Sequence, residues 1–263
     1  MQNTFTMNHK ITVAIICKNE EKNIGSCLEA VRWADEIVVV DSGSTDGTLD
    51  IAHRFTERVH VHDDWQGFGP QRQVAERYAS HDWILAVDSD EVVSPELADE
   101  IRVAIDAATP DTVFRINRLT SFLGKFIRHS GWHPDRIVRL YNKSRYHYND
   151  AYVHESVSCK GARVVDMKAL LLHYQMDSLE QYIDKRNRYA RDWADHQFAR
   201  GKKTHVVEIL SRSLFAFFRH YVIRLGVLDG YHGLLISIIQ MQYTFNKYNF
   251  LRFRNHADTT SSK

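Results

Sequence analysis

The run Trp83-Ile84-Leu85-Ala86-Val87, closed by Asp88-Ser89-Asp90-Glu91, decides how the chain is read. Five apolar residues without polar alternation predict a buried strand, the kind a parallel sheet places between two layers of helices. Three carboxylates directly at the end of such a strand are electrostatically costly unless a cation or hydrogen-bond donors meet them. Open parallel sheets bind ligands at the carboxyl ends of their strands, so the same acids mark a site.

Upstream, the pattern repeats. Ile11–Ile16 is a β-branched run ending in Cys17-Lys18-Asn19-Glu20, and a helical pattern follows from Asn23 to Trp33. Glu36–Val40 is a second apolar strand, ending in Asp41 and the turn-rich Ser42-Gly43-Ser44-Thr45-Asp46-Gly47; a short helix from Thr48 and a weaker strand at Arg58–His62 complete it. The order βαβαβ predicts a parallel sheet and an α/β class. Gly67-Phe68-Gly69-Pro70 reads as a breaker, with a helix from about Gln71 to Ala79 behind it.

Downstream, Ser94-Pro95-Glu96 supplies an N-cap, a proline in the first helical position and an early acid, so a helix should run to about Ala107. Short strands are expected near Val113–Asn117, Arg136–Tyr141 and Arg163–Met167, then a long helix from Ser178 to about Arg200. The expected division is residues 1–203 as the α/β domain and 204–263 as a helical extension, with a disordered polar tail at Ala257–Lys263.

The net charge of +1 hides an asymmetry, because residues 201–263 hold nine Lys/Arg against three Asp/Glu. Ten of the thirty aromatic residues fall between Phe215 and Phe253. Basic and aromatic residues at helical spacing suggest an interfacial, membrane-associating helix, against the plainer reading of a helical hairpin with a solvated cationic face. No RNP-like or zinc-finger signature accompanies the charge, so nucleic acid is not expected as a partner. With 44% hydrophobic and 25% charged residues, disorder and fibrous repeats are excluded. Three widely spaced cysteines suggest neither a disulfide framework nor a zinc set. A polar N-terminus without a signal-peptide core and no long apolar run point to a cytoplasmic protein.

Two aspartates one residue apart at a strand end, Asp88 and Asp90, can bind a divalent cation that keeps waters and bridges to substrate phosphates; the plain alternative is a helix-capping loop. Asp41 could accept hydrogen bonds from a base or ribose, or simply close an Asx turn. The loop after it lacks the ending and spacing of a Walker P-loop, so a nucleotide would be held by metal and side chains.

Taken in order, strand-Cys17-Lys18-Asn19-Glu20-Glu21, then Val38-Val39-Val40-Asp41-Ser42-Gly43-Ser44-Thr45-Asp46-Gly47-Thr48, then Trp83 to Glu91, resemble the family 2 glycosyltransferases. Gly131-Trp132-His133-Pro134-Asp135-Arg136, Val153-His154-Glu155 and Leu171-Leu172-His173-Tyr174 look more narrowly like lipopolysaccharide-core β-1,4-glucosyltransferases. The resemblance implies a GT-A fold, an inverting mechanism, a UDP-sugar donor, and Mg²⁺ or Mn²⁺. It places Cys17, Asn19, Glu20, Asp41, Arg72, Asp88 and Ser89 at the nucleotide-sugar, Asp90 on the metal and Glu155 as the base; His173 is a candidate further ligand, its plain alternative a hydrogen-bonded structural histidine. Asp135 and Glu91 are rival bases. Gln71-Arg72-Gln73 departs from the family's commoner Arg/Lys-Asn pair, and Trp132, Asp135 and Arg136 are candidates for the acceptor. That acceptor would be a heptose of lipid-anchored lipopolysaccharide, reached by peripheral contact with the cytoplasmic face of the inner membrane. A polyprenyl-phosphate or capsular acceptor, and a non-catalytic nucleotide-sugar-binding protein, remain the other readings.

Overall fold

The computed structural model describes residues 9–176 and 178–261. By compactness the chain divides into two units, one reaching to Leu119 and taking in Asp135–Tyr174, the other made of Thr120–Pro134 and the residues from Gln175 onward. The border expected at residue 203 is a different division, drawn on charge and aromatic content.

The first unit is built on β1 (Ile11–Cys17), β2 (Glu36–Asp41), β3 (Val59–Val61) and β4 (Trp83–Asp88), with α1 (Ile24–Ala30), α2 (Thr48–Ala52) and α3 (Phe68–Tyr78) between them. β1 lies parallel to both β2 and β4, and β2 parallel to β3. Then follow β5 (Glu91–Val93), α4 (Pro95–Asp106), β6 (Thr112–Phe122), β7 (Lys125–Phe126), β8 (Asp135–Asn142) and β9 (Arg163–Met176). The strand order is β3-β2-β1-β4-β8-β6-β9-β5, with β7 paired to β6. β8 joins β4 antiparallel, so the doubly wound half passes directly into an antiparallel half.

Strand alternation explains why the central strands are apolar throughout. Val13, Ile15, Val39 and Leu85 face one core with Leu28 of α1 and Leu97, Ile101 and Ile105 of α4. Their neighbours Ala14, Ile16, Val38, Val40 and Ala86 face a second core with Val74 and Ala75 of α3. Each face of the sheet is therefore covered, and no position in β1 can be polar without a partner. Thr12 is the polar exception in β1, and its hydroxyl donates to Glu36 at 2.5 Å.

Ser94 caps α4 as expected, its Oγ accepting the Leu97 N–H at 3.2 Å, with Pro95 in the first turn. Gly67–Pro70 is not a breaker, because α3 begins at Phe68 and takes in Gly69 and Pro70. A proline in a first helical turn removes an N–H that has no partner in the helix anyway, so it does not stop the helix.

The second unit holds α5 (Leu179–Ala199), α6 (Val206–Phe218), a π turn at Arg219–Ile223, a 3₁₀ turn at Gly226–Asp229 and α7 (Tyr231–Ser261). Phe122, Ile127, Tyr182, Ile236 and Ile239 form its core. Asp229 is buried there and accepts the backbone N–H groups of Arg128 and His129, at 3.2 and 3.0 Å, and the Ser130 hydroxyl at 3.2 Å. α7 takes in residues 257–261 of the tail expected to be disordered, and Ser262 and Lys263 lie outside the described residues. Among the described residues no helix is long and apolar enough to cross a membrane.

Candidate active site

At the carboxyl end of β4, Asp88 receives two arginines. Arg72 of α3 takes its Oδ1, and Arg139 of β8 takes its Oδ2. Arg139 also reaches Glu91 Oε1 at 3.2 Å and the Tyr148 hydroxyl at 3.3 Å. Glu91 is fully buried, and its other oxygen accepts the Asp88 N–H at 2.9 Å. Arg118 of β6 continues the line, 3.3 Å from Glu91 and 2.8 Å from Asp135. The result is an alternating chain of charges: Glu155, Arg72, Asp88, Arg139, Glu91, Arg118, Asp135. Burial alone would push the Asp88 carboxyl up, but Arg139 and Arg72 overcome it and hold it well below the usual aspartate range.

Glu155 stands at one end of this chain, its Oε1 3.4 Å from Arg72 Nε. It is carried by a loop that docks onto the start of α3 through backbone pairing: Phe68 N–H to Tyr152 O and Gly69 N–H to Ala151 O, both at 3.0 Å. This contact is why residues 67 and 69 are glycine. Gly67 has φ +119° and a side chain there would meet Tyr152 Cα at 2.6 Å, while a Cβ on Gly69 would overlap the Asn149 carbonyl oxygen. Gln73 adds a third tie, its amide donating to Tyr148 O at 2.7 Å.

Asp90 follows in the turn after β4. Its Oδ2 lies 3.2 Å from His173 Nε2, although 83 residues separate the two in sequence. The three-residue strand β5 brings them together, pairing antiparallel with β9 so that Glu91 faces His173 and the Tyr174 N–H donates to Asp90 O at 2.9 Å. Among the described residues no group of three or more His, Cys, Asp and Glu side chains stands arranged to hold a metal ion. Asp90 and His173 nonetheless form a fitting pair of donors, since a cation bridging to a pyrophosphate commonly draws one or two ligands from protein and the rest from water and phosphate. Asp88, with each of its oxygens on a guanidinium, is not placed as a ligand.

The ends of β1 and β2 supply the third edge. Asp41 is fully buried and closes an Asx turn: Oδ1 accepts Gly43 N–H at 2.9 Å and Ser44 N–H at 2.7 Å, and Oδ2 accepts the Ser44 hydroxyl and the Cys17 thiol. Burial and the Asp41 charge push the Cys17 thiol far up, so its side chain is a turn-closing donor. Asn19, at φ +54°, accepts Thr45 N–H at 2.8 Å and pins the loop after β2. Burial raises Glu20 against its Asn23 hydrogen bond, and the charges of Asp90, Asp46 and Asp88 raise it further. Ser89 is buried at the tip between β4 and β5.

Two sequence candidates lie elsewhere. Successive residues of a strand face opposite sides of the sheet, so Asp135 turns to Arg118 while Arg136 turns away to Asp166, 3.4 Å distant. Trp132 belongs to the second unit, where its ring lies 5.5 Å from Phe122 and 6.0 Å from Tyr182 in an aromatic cluster. Arg118, Arg139 and Tyr148 were not singled out from sequence, and Glu91 entered only as a rival base. Arg139 left a trace, because an arginine inside Ile137-Val138-Arg139-Leu140-Tyr141 is costly to bury without an acid to meet it.

Residues 12–171 match the profile of glycosyl transferase family 2. An uncharacterized glycosyltransferase of Rickettsia bellii is 31% identical over 249 residues, which span 89% of this chain and 83% of the relative. A lipopolysaccharide core biosynthesis glycosyltransferase, LpsC of Rhizobium meliloti, is 27% identical over 216 residues, 80% of each chain. Among solved structures, S. aureus TarS 1-349 in complex with UDP-GlcNAc aligns with a TM-score of 0.46 and 16% identity over 94% of this chain and 92% of that one.

Proposed function

Since the chain belongs to glycosyl transferase family 2, we propose that it is an inverting, metal-dependent enzyme that moves glucose from UDP-glucose to a heptose of the lipopolysaccharide inner core. The observation that carries this reading is the meeting of three groups at the end of β4: the Asp90–His173 donor pair, the arginine-held Asp88, and Glu155 on its docked loop. The similarity to LpsC supports the choice of acceptor class.

In this reading Glu155 accepts the proton of the acceptor hydroxyl. The hydroxyl oxygen attacks the anomeric carbon from the face opposite the nucleotide, and the bond from that carbon to the phosphate oxygen breaks with its electron pair leaving on UDP. Arg72 holds the Glu155 carboxylate in place through the 3.4 Å contact, so one guanidinium orients the base and Asp88 together. Asp90 and His173 would hold Mg²⁺ or Mn²⁺, which supplies positive charge to the departing pyrophosphate. In this reading Asp41 serves the uracil side through the turn it closes with Gly43 and Ser44, and Cys17, Asn19, Glu20 and Ser89 belong to the same nucleotide-sugar end. The acceptor is lipid-anchored, and the enzyme works as a peripheral protein at the cytoplasmic face of the inner membrane.

The test is a screen of purified protein with Mg²⁺, Mn²⁺ or EDTA, a panel of UDP-sugars, and lipopolysaccharide truncated to its heptose core, read by mass. Gain of one hexose from UDP-glucose, absent with EDTA, is the expected result. Transfer from a different UDP-sugar, or to polyprenyl phosphate in place of the heptose core, overturns the donor or the acceptor assignment respectively.

A further inference from the structure

Helix α6 presents two unlike sides. Ile209 and Ser213 are buried against the rest of the second unit. Val207, Leu210, Leu214 and Phe218, spaced three or four residues apart, are 78, 49, 65 and 49% exposed. The turns that follow extend this stripe, with Ile223 at 57% and Leu228 at 63%. Soluble surfaces scatter such residues singly, whereas a contiguous apolar stripe of this length marks a docking face.

Charge selects the occupant. Residues 206–228 carry Arg212, Arg219 and Arg224, all exposed, with Lys203 exposed just ahead of them. The one acid among residues 206–228, Glu208, is paired to Arg212 at 2.8 Å. An apolar stripe flanked by cations matches a bilayer surface, with acyl chains beneath and anionic phosphates at headgroup level. The aromatic residues of α7, expected from sequence to share this role, do so only in part. Tyr248 is buried and packs 4.8 Å from Trp193 of α5, inside the helical unit.

We propose that α6 and the turns after it, residues 206–228, are the surface by which this chain lies on an anionic membrane, the apolar stripe entering the acyl boundary and the arginines meeting lipid phosphates. This rests on the reading of a lipid-anchored acceptor, but none of its residues is among those assigned to the site.

Co-sedimentation of the full chain with vesicles tests it, comparing phosphatidylglycerol–phosphatidylethanolamine with pure phosphatidylcholine. Wild type should favour the anionic vesicles by at least roughly tenfold, and Leu214→Glu with Phe218→Glu should remove most of that binding. Arg219→Glu with Arg224→Glu should weaken it by about fivefold per charge on anionic vesicles alone, the effect shrinking with salt. Both variants should keep wild-type circular dichroism and wild-type transfer to a delipidated core acceptor, so a failed glucosyltransferase reading would show as absent transfer in every variant. Equal sedimentation with both vesicle types, or binding untouched by either variant, overturns the proposal. So does a dimer in sedimentation velocity that Leu214→Glu dissociates, since the face then belongs to a second copy of this chain.

Discussion

Arg139 meets Asp88 and Glu91 with the same guanidinium nitrogen, Nη2, while Asp88 gives its other oxygen to Arg72. One planar cation thus ties the end of β4 to the start of β5, across the turn that carries Asp90. Arg139→Met should therefore cost about 3–5 kcal/mol, because it leaves a fully buried Glu91 with only Arg118 to oppose it. Arg139→Lys should recover little, as a single ammonium cannot reproduce the fork toward Asp88, Glu91 and Tyr148. Urea unfolding followed by circular dichroism measures both; a loss below about 1 kcal/mol for the methionine variant would contradict the account.

Asp88 sets a pH dependence with a defined sign. Its folded-state carboxyl sits well below the usual value of 3.8, so its stabilisation is complete above that value and drains away as pH falls beneath it. Asp88→Asn should be destabilised by a constant amount from neutral pH down to about pH 5, and the gap to wild type should narrow only in stronger acid. A gap that closed between pH 7 and 5 would show that the arginines do not hold this carboxylate.

Glu155→Gln separates chemistry from binding. Loss of a general base lowers turnover by about 10²–10⁴-fold, while UDP affinity measured calorimetrically should stay within about threefold of wild type. Near wild-type turnover would move the base to Asp135, at the far end of the same charge chain.

Gly69→Ala tests the docking of the base-bearing loop without touching an ionisable group. Its methyl would overlap the Asn149 carbonyl oxygen, so the loop must lift away from α3 and carry Glu155 off Arg72. Misplacement by about 1 Å can cost about 100-fold in turnover, with much less change in UDP affinity. Unaltered turnover would show that the loop position does not govern the base.

Asp90→Ala and His173→Ala should each raise the Mg²⁺ or Mn²⁺ concentration needed for half-maximal UDP binding, the former to the point of abolishing metal-dependent binding and the latter by about 10–100-fold. A metal titration unchanged in His173→Ala would remove it from the donor set.

Much of the first unit was legible because its signals are local. The β-branched run Val38-Val39-Val40, closed by a turn-rich loop, favours a covered strand, and Ser94-Pro95-Glu96 specifies a helix start within three residues. The family match and the relatives agree with the resemblance carried by those strand ends. What escaped was long-range. β5 is too short to announce itself, and Arg118 and Arg139 look like ordinary strand residues until pairing sets them opposite Glu91 and Asp88. Arg136 was misplaced because its neighbour Asp135 is the inward member of the pair, and Gly67 and Gly69 resembled punctuation when their purpose is to let another loop approach.

The β5–β9 ladder makes the Asp90–His173 contact a property of strand register. Because Glu91 faces His173, a slip of one residue would set Leu172 or Tyr174 opposite Glu91 and turn the imidazole to the other face of the sheet. The spacing between Asp90 and His173 is thus indifferent to the length of the intervening segments, and loops such as residues 143–147 could be lengthened while the rung holds. Alignment fidelity during folding and the meeting of Asp90 with His173 are, in this chain, decided by the same three backbone pairs.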